Sequence, residues 1–170
     1  MSSTLSFVLG TRPEIIKLSP VIRACQRRDV SFSIVHTGQH YSEELDSVFF
    51  EQLDLATPDY NLAVGSSSHG DQTGKMIAEI ESVLQSEHPN IVIVQGDTNS
   101  VLAGTIAATK MEGIEVGHVE AGLRSFDRNM PEEINRRVSD HAADYLFAPT
   151  ETSRDQLRQE GLPDEWITVT

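Results

Sequence analysis

The stretch "IVIVQGDTNSVLAGTIAATK", residues 91–110, decides the fold. Its first four residues are apolar without alternation, the pattern of a strand buried on both faces in a parallel sheet covered by helices. A polar turn, "QGDTNS", follows and leads into a run of small and apolar residues. A strand over 91–97 feeding a helix over 98–111 makes one strand–helix unit. The same unit recurs on either side. Strands are expected over 5–10, 32–38, 115–120 and 145–150, with a short extended piece over 60–64 and a last strand in "WITVT" at the end of the chain. Helices fit 13–28, 43–53, 70–87, 131–143 and 151–160. This alternation predicts an α/β fold, a Rossmann-like doubly wound parallel sheet.

Composition bounds the function. The chain has 170 residues, enough for one domain with its own core and no need of disulfides or metal. Cys25 is the only cysteine, so neither an internal disulfide nor a multi-cysteine zinc site can form, and a cytoplasmic location is expected. The start, "MSSTLSFVLG", lacks a basic region before an apolar run, and no segment approaches the roughly 18 apolar residues of a membrane span. A net charge of −13, from 13 Lys and Arg against 26 Asp and Glu, argues against a nucleic-acid-binding surface. "GSSSHGDQTG", 65–74, reads as a loop rather than a domain boundary. The chain stops on an apolar strand with no closing helix, so it is expected to be one domain of a longer protein.

In an open parallel sheet, ligands bind beyond the carboxyl ends of the strands. Those ends read "GTRPE" (10–14), "TGQHY" (37–41), "QGDTNS" (95–100), "VEAGLRS" (119–125) and "APTETS" (148–153). Arg12, Gln39, His40, Asp97 and Glu120 should therefore line one edge. Pro13 suits a first helical turn, and Arg12 and Lys17 beside the backbone N–H groups of that turn make an anion site; a capped helix with two solvated cations is the alternative. Asp97 reads either as the N-cap of the helix after it or as a crevice carboxylate. Glu120, squeezed between "VGHV" and "AG", needs a partner, and Arg124 is the nearby candidate for a structural ion pair.

Glu132 and Glu133 sit in a first helical turn behind Pro131, each four residues ahead of an arginine, Arg136 and Arg137. Ile134, Val138 and Ala142 mark the expected buried stripe of that helix. Glu132, Asn135, Arg136 and Ser139 share a polar stripe that faces either solvent or the crevice. GxGxxG, GxxxxGK[ST], HExxH and GxSxG are all missing, so no tightly held nicotinamide cofactor, nucleotide triphosphate, metal or serine nucleophile is indicated. His118 and His141 read as structural.

"GTRPEIIKLSPVI", "TGQHY", "QGDTNS", "GHVEAGLRS", "PEEINRR" and "FAPTETS", in this order, resemble the signatures of the non-hydrolysing UDP-N-acetylglucosamine 2-epimerases from about residue 5 to the end. The resemblance implies the N-terminal half of a glycosyltransferase-B-like architecture, two Rossmann-like domains across a cleft, with the UDP-binding C-terminal domain outside this chain. It implies a UDP-sugar substrate, epimerised at C2 by anti elimination of UDP to a 2-acetamidoglucal and re-addition, without a cofactor. By motif match it assigns Asp97, Glu120 and Glu132 to catalysis, and Arg12, Lys17 and Arg136, with Gln39 and His40 at the strand edge, to substrate binding. Glu133 keeps its helix-pairing role. The second domain of the family supplies most uridine contacts and a site histidine, so this chain alone is expected to be inactive. Many members are homodimers, so the resemblance allows a homodimer, and the sequence leaves the oligomeric state open. "YSEELDSVFF" and "MPEE" depart from the common bacterial pattern and resemble members acting on diacetamido-uronic UDP-sugars and archaeal-type epimerases. A glycosyltransferase of the same architecture and a non-catalytic sugar-binding module are the remaining readings.

Overall fold

The computed structural model describes residues 5–39 and 43–170. Its strands are β1 (Leu5–Leu9), β2 (Phe32–His36), β3 (Tyr60–Asn61), β4 (Ile91–Gln95), β5 (Glu115–Val119), β6 (Tyr145–Ala148) and β7 (Ile167–Val169). They form one parallel sheet in the order β3-β2-β1-β4-β5-β6-β7. The helices are α1 (Arg12–Arg27), α2 (Glu43–Gln52), α3 (His69–Glu87), α4 (Asn99–Thr109), α5 (Pro131–Ala142) and α6 (Glu151–Gln159). The Rossmann-like sheet expected from the strand pattern is the sheet observed.

Pleating sends successive side chains to opposite faces, and two cores result. On one face Val8, Val35, Val92, Val94, Val116 and Leu146 pack with Met76, Ile80 and Leu84 of α3, Val101, Ala103 and Ala107 of α4, and Leu157 of α6. On the other, Phe7, Leu9, Ile34 and Ile93 meet Ile15, Leu18, Ile22 and Cys25 of α1 and Phe50 of α2. This is why the strands read as unbroken apolar runs.

The strands end one to three residues earlier than the apolar pattern suggests, because the polar ends leave the sheet. Gly96 (φ +85) and Glu120 (φ +72) both turn into the left-handed region directly after β4 and β5. Beyond β3 the chain still runs beside β2, with Leu62 and Val64 donating to His36 and Thr37 carbonyls at 2.9 and 3.0 Å, but Ala63 (φ +48) breaks the regular strand. Inside α1, Pro20 has no N–H for the Ile16 carbonyl, and the Ser19 hydroxyl donates to it instead at 2.9 Å.

Helix α5 departs most from expectation. Its buried residues are Glu133, Asn135, Ser139 and Asp140, whereas Ile134 and Val138 are exposed and Ala142 is half-buried. The apolar stripe predicted to face the core faces outward, because the inner side of α5 belongs to a polar network. No described helix is long and apolar enough to cross a membrane.

Candidate active site

Strand order reverses between β1 and β4, and the loops diverging from that point open a crevice beyond the strand ends. The crevice encloses about 320 Å³ and is lined by Thr11, Pro13, Glu14 and Lys17 of the β1–α1 turn and α1. The end of β4 adds Gln95, Gly96, Asp97 and Thr98. Glu120 and Leu123 follow β5, and Arg136 comes from α5. Gly10, directly after β1, is dictated by space: a Cβ there would lie 1.9 Å from Thr37 Oγ1 and 2.4 Å from Ser100 Oγ.

Two carboxylate–cation pairs face this space. Lys17 Nζ donates to both oxygens of Glu120, at 2.9 and 2.7 Å, and Gln95 Nε2 donates to Glu120 Oε2. The expected Glu120–Arg124 pair does not form, since Arg124 is turned away into a buried cluster. A non-glycine residue at φ +72 costs of order 1–3 kcal/mol, and such residues gather at functional sites. Its backbone is held there by Glu120 and Ala121 N–H groups donating to Phe147 O at 3.0 and 3.1 Å.

The second pair joins Asp97 to the Arg136 guanidinium. Asp97 is not the cap of α4. Thr98 is, accepting from Val101 N–H at 3.4 Å, which leaves the Asp97 carboxylate to the crevice. The turn carrying Asp97 is fixed from beneath: Asn135 Nδ2 donates to Asp97 O at 2.9 Å, and His118 Nε2 donates to Gly96 O at 2.7 Å. His118 also meets Asp140 Oδ1 at 2.7 Å, so it is a buried structural residue.

The remaining candidates are spread. Glu132 is half-buried in the first turn of α5, one turn before Arg136 on the same helix face, and is not among the lining residues. Arg136 pairs with Asp97 and Glu133 rather than with Glu132. Arg12 opens α1 with its guanidinium 5.6 Å from the Phe49 ring centroid, also outside the lining set. Gln39 is buried against α4, its Oε1 accepting from Ser100 N at 3.0 Å and Ser100 Oγ at 2.8 Å. His40 lies outside the described residues. Glu14, Gln95 and Thr98 went unread in the sequence. Glu14 carried a signal nonetheless, standing three residues after the N-cap Thr11, where a carboxylate reaches back to cap a helix.

Glu133 is fully buried and is more than a surface partner. It accepts from Ser125 N and Oγ at 2.8 and 2.9 Å, from Arg137 Nε at 3.0 Å and from Arg136 at 3.4 Å, which steers Arg136 toward the crevice. Burial alone would raise its pKa; the Ser125 donors and both arginines outweigh it and hold the carboxyl down at about 2. Arg124 likewise, against burial and with help from Gln156 and His141, holds Glu160 at about 2. Both folded values lie below the ordinary 4.5, so the stability these groups contribute is present above pH 4.5 and is lost as pH falls toward 2. The unfolding free energy of this chain, measured in urea, is therefore expected to fall steeply between pH 4.5 and 2, by about 3 kcal/mol for each group. Substituting Glu133→Gln should flatten that fall.

The sequence model of the UDP-N-acetylglucosamine 2-epimerase family matches residues 23–170. The chain belongs to that family. The UDP-N-acetylglucosamine 2-epimerase of Methanocaldococcus jannaschii is 60% identical over 165 residues, which cover 97% of this epimerase-family chain and 45% of the relative. A crystal structure of the M. jannaschii UDP-GlcNAc 2-epimerase in complex with UDP-GlcNAc and UDP superposes with a TM-score of 0.94 over 97% of this chain and 45% of that one. The UDP-2,3-diacetamido-2,3-dideoxy-D-glucuronate 2-epimerase of Pseudomonas aeruginosa is 48% identical over 155 residues, 91% of this chain and 44% of the relative. The family member described here thus spans somewhat less than half the length of these relatives.

Proposed function

We propose that this chain is the N-terminal catalytic half of a UDP-N-acetylglucosamine 2-epimerase, completed by a second domain that binds UDP. The observation that carries this reading is the meeting of Asp97–Arg136 and Lys17–Glu120 in one crevice at the sheet's switch point. Inverting C2 needs a base to remove its proton and an acid to return one from the other face, and carboxylates on separate elements suit both tasks. In the forward step the C2–H pair becomes the C1–C2 double bond while the C1–O bond breaks and UDP leaves with its electrons. UDP then re-adds as a proton reaches the opposite face of C2. Lys17 and Arg136 supply positive charge where negative charge develops on the departing diphosphate. Asp97 and Glu132 handle the C2 proton in this reading, with Glu120 orienting Lys17 or assisting, and Arg12, Gln39 and His40 belonging to the substrate side.

C1–O cleavage is testable directly. Oxygen-18 placed in the C1–O bridge of UDP-N-acetylglucosamine should scramble into the non-bridging oxygens of the β-phosphate when a protein of the relatives' full length carrying this chain is added. Label that stays in the bridge would sink the elimination. The 170-residue chain alone should not scramble it. A second reading, a UDP-diacetamido-uronic acid 2-epimerase, is favoured by the Pseudomonas relative. The same labelled assay with that sugar separates the two.

A further inference from the structure

The start of α1 is where a Rossmann-like fold ordinarily offers N–H groups to a phosphate. Here the seat is already taken. Glu14 is 1% exposed, and its Oε2 accepts from Gly10 N–H at 2.8 Å, so the turn that reads as an anion site is filled by the chain's own side chain. The other oxygen reaches across the switch point: Thr98 Oγ1 donates to Glu14 Oε1 at 2.6 Å. Thr98 caps α4 and directly follows Asp97. One carboxyl therefore ties the β1–α1 turn to the β4–α4 turn, the two walls of the crevice.

We infer that Glu14 is a positioning residue: its buried carboxyl occupies the anion seat at the start of α1 and, through Thr98, holds the Asp97 turn in register with Lys17 and Glu120. Lys17 lies one turn beyond Glu14 on α1, so the latch fixes the cation and the carboxylate of opposite walls relative to each other. Burial pushes the Glu14 carboxyl pKa above the ordinary value, which accords with a group holding neighbours through hydrogen bonds rather than through charge. Glutamine should then replace it. Its amide oxygen accepts from Gly10, and the Thr98 hydroxyl reverses to accept from the amide nitrogen. Alanine loses both links.

The kinetic arm rests on the proposed function and uses a protein of the relatives' full length. Glu14→Ala should lower kcat for C2 exchange by ~10²-fold with KM within about threefold, as expected for a displaced catalytic group, while Glu14→Gln stays within about threefold in both. A kcat for Glu14→Ala near that of the parent overturns the inference, and so does a Glu14→Gln variant as impaired as Glu14→Ala. If Glu14→Ala does not fold, Thr98→Val, which cuts the crossing link along with the α4 cap, should show the same kcat loss, and Thr98→Ser, which keeps both, should restore it. If the parent itself exchanges no C2 proton, the functional reading has failed and amide spectra of the 170-residue chain decide. Glu14→Ala or Thr98→Val should then move the Asp97 amide signal while Glu14→Gln leaves it in place. An Asp97 signal unmoved in both overturns the latch.

Discussion

Replacing Asp97 with asparagine, in a protein of the relatives' length carrying this chain, is expected to slow C2 deuterium exchange by ~10²-fold or more with little change in KM. Asparagine keeps the size of the side chain and a hydrogen bond to Arg136, so the crevice should hold its shape. What it removes is a group able to take and return a proton. The backbone of the turn is fixed by Asn135 and His118, which do not depend on the Asp97 side chain. An exchange rate within a few-fold of the parent would take Asp97 out of the chemistry and leave it as a partner for Arg136. Glu132→Gln should give a loss of similar size. Glu133→Gln should act on stability first, because its carboxyl anchors the helix rather than facing the cavity.

Removing Arg124 is expected to have the largest effect on stability. Its side chain is 1% exposed, forked onto Glu160 at 2.8 and 2.7 Å and joined to Asp140 at 2.7 Å. Asp140 in turn holds His118 and the Gly122 N–H, and through His118 the Gly96 carbonyl behind the Asp97 turn. Arg124→Met leaves the buried Asp140 and the partly buried Glu160 without that cation, a loss of about 3–5 kcal/mol by urea denaturation. Lysine should not rescue it, since a single ammonium cannot satisfy both partners in the fork geometry. A cost below about 1 kcal/mol would mean that Asp140 and Glu160 are held mainly by their other donors.

The fold was legible because each layer of physics pointed the same way. Ile91–Val94 and its counterparts are apolar on both sides since both sides are covered, and the polar strand ends mark where the sheet stops and the crevice begins. Of the residues expected on that edge, Asp97 and Glu120 line the crevice, whereas Arg12 and Gln39 do not. Lys17 was legible only as part of an anion site, and Arg136 only as part of a polar stripe with two possible facings. Partners were much less legible. Glu120 pairs with Lys17, 103 positions away, rather than with Arg124, four positions away, because the sheet order sets β1, β4 and β5 side by side. The polar inner face of α5 was hidden for a related reason: Glu133, Asn135 and Asp140 are satisfied by donors and acceptors from other elements, which no helical periodicity reveals. Glu14 had a capping position as its local explanation, and only the fold brings Thr98 to it.

Proton NMR in deuterium oxide, with UDP-N-acetylglucosamine and a protein of the relatives' full length carrying this chain, tests the central claim most directly. Deuterium should enter C2 as the manno epimer accumulates, and the 170-residue chain by itself should give neither. A full-length protein that leaves C2 of this sugar protonated and forms no epimer would contradict the assignment of UDP-N-acetylglucosamine as substrate.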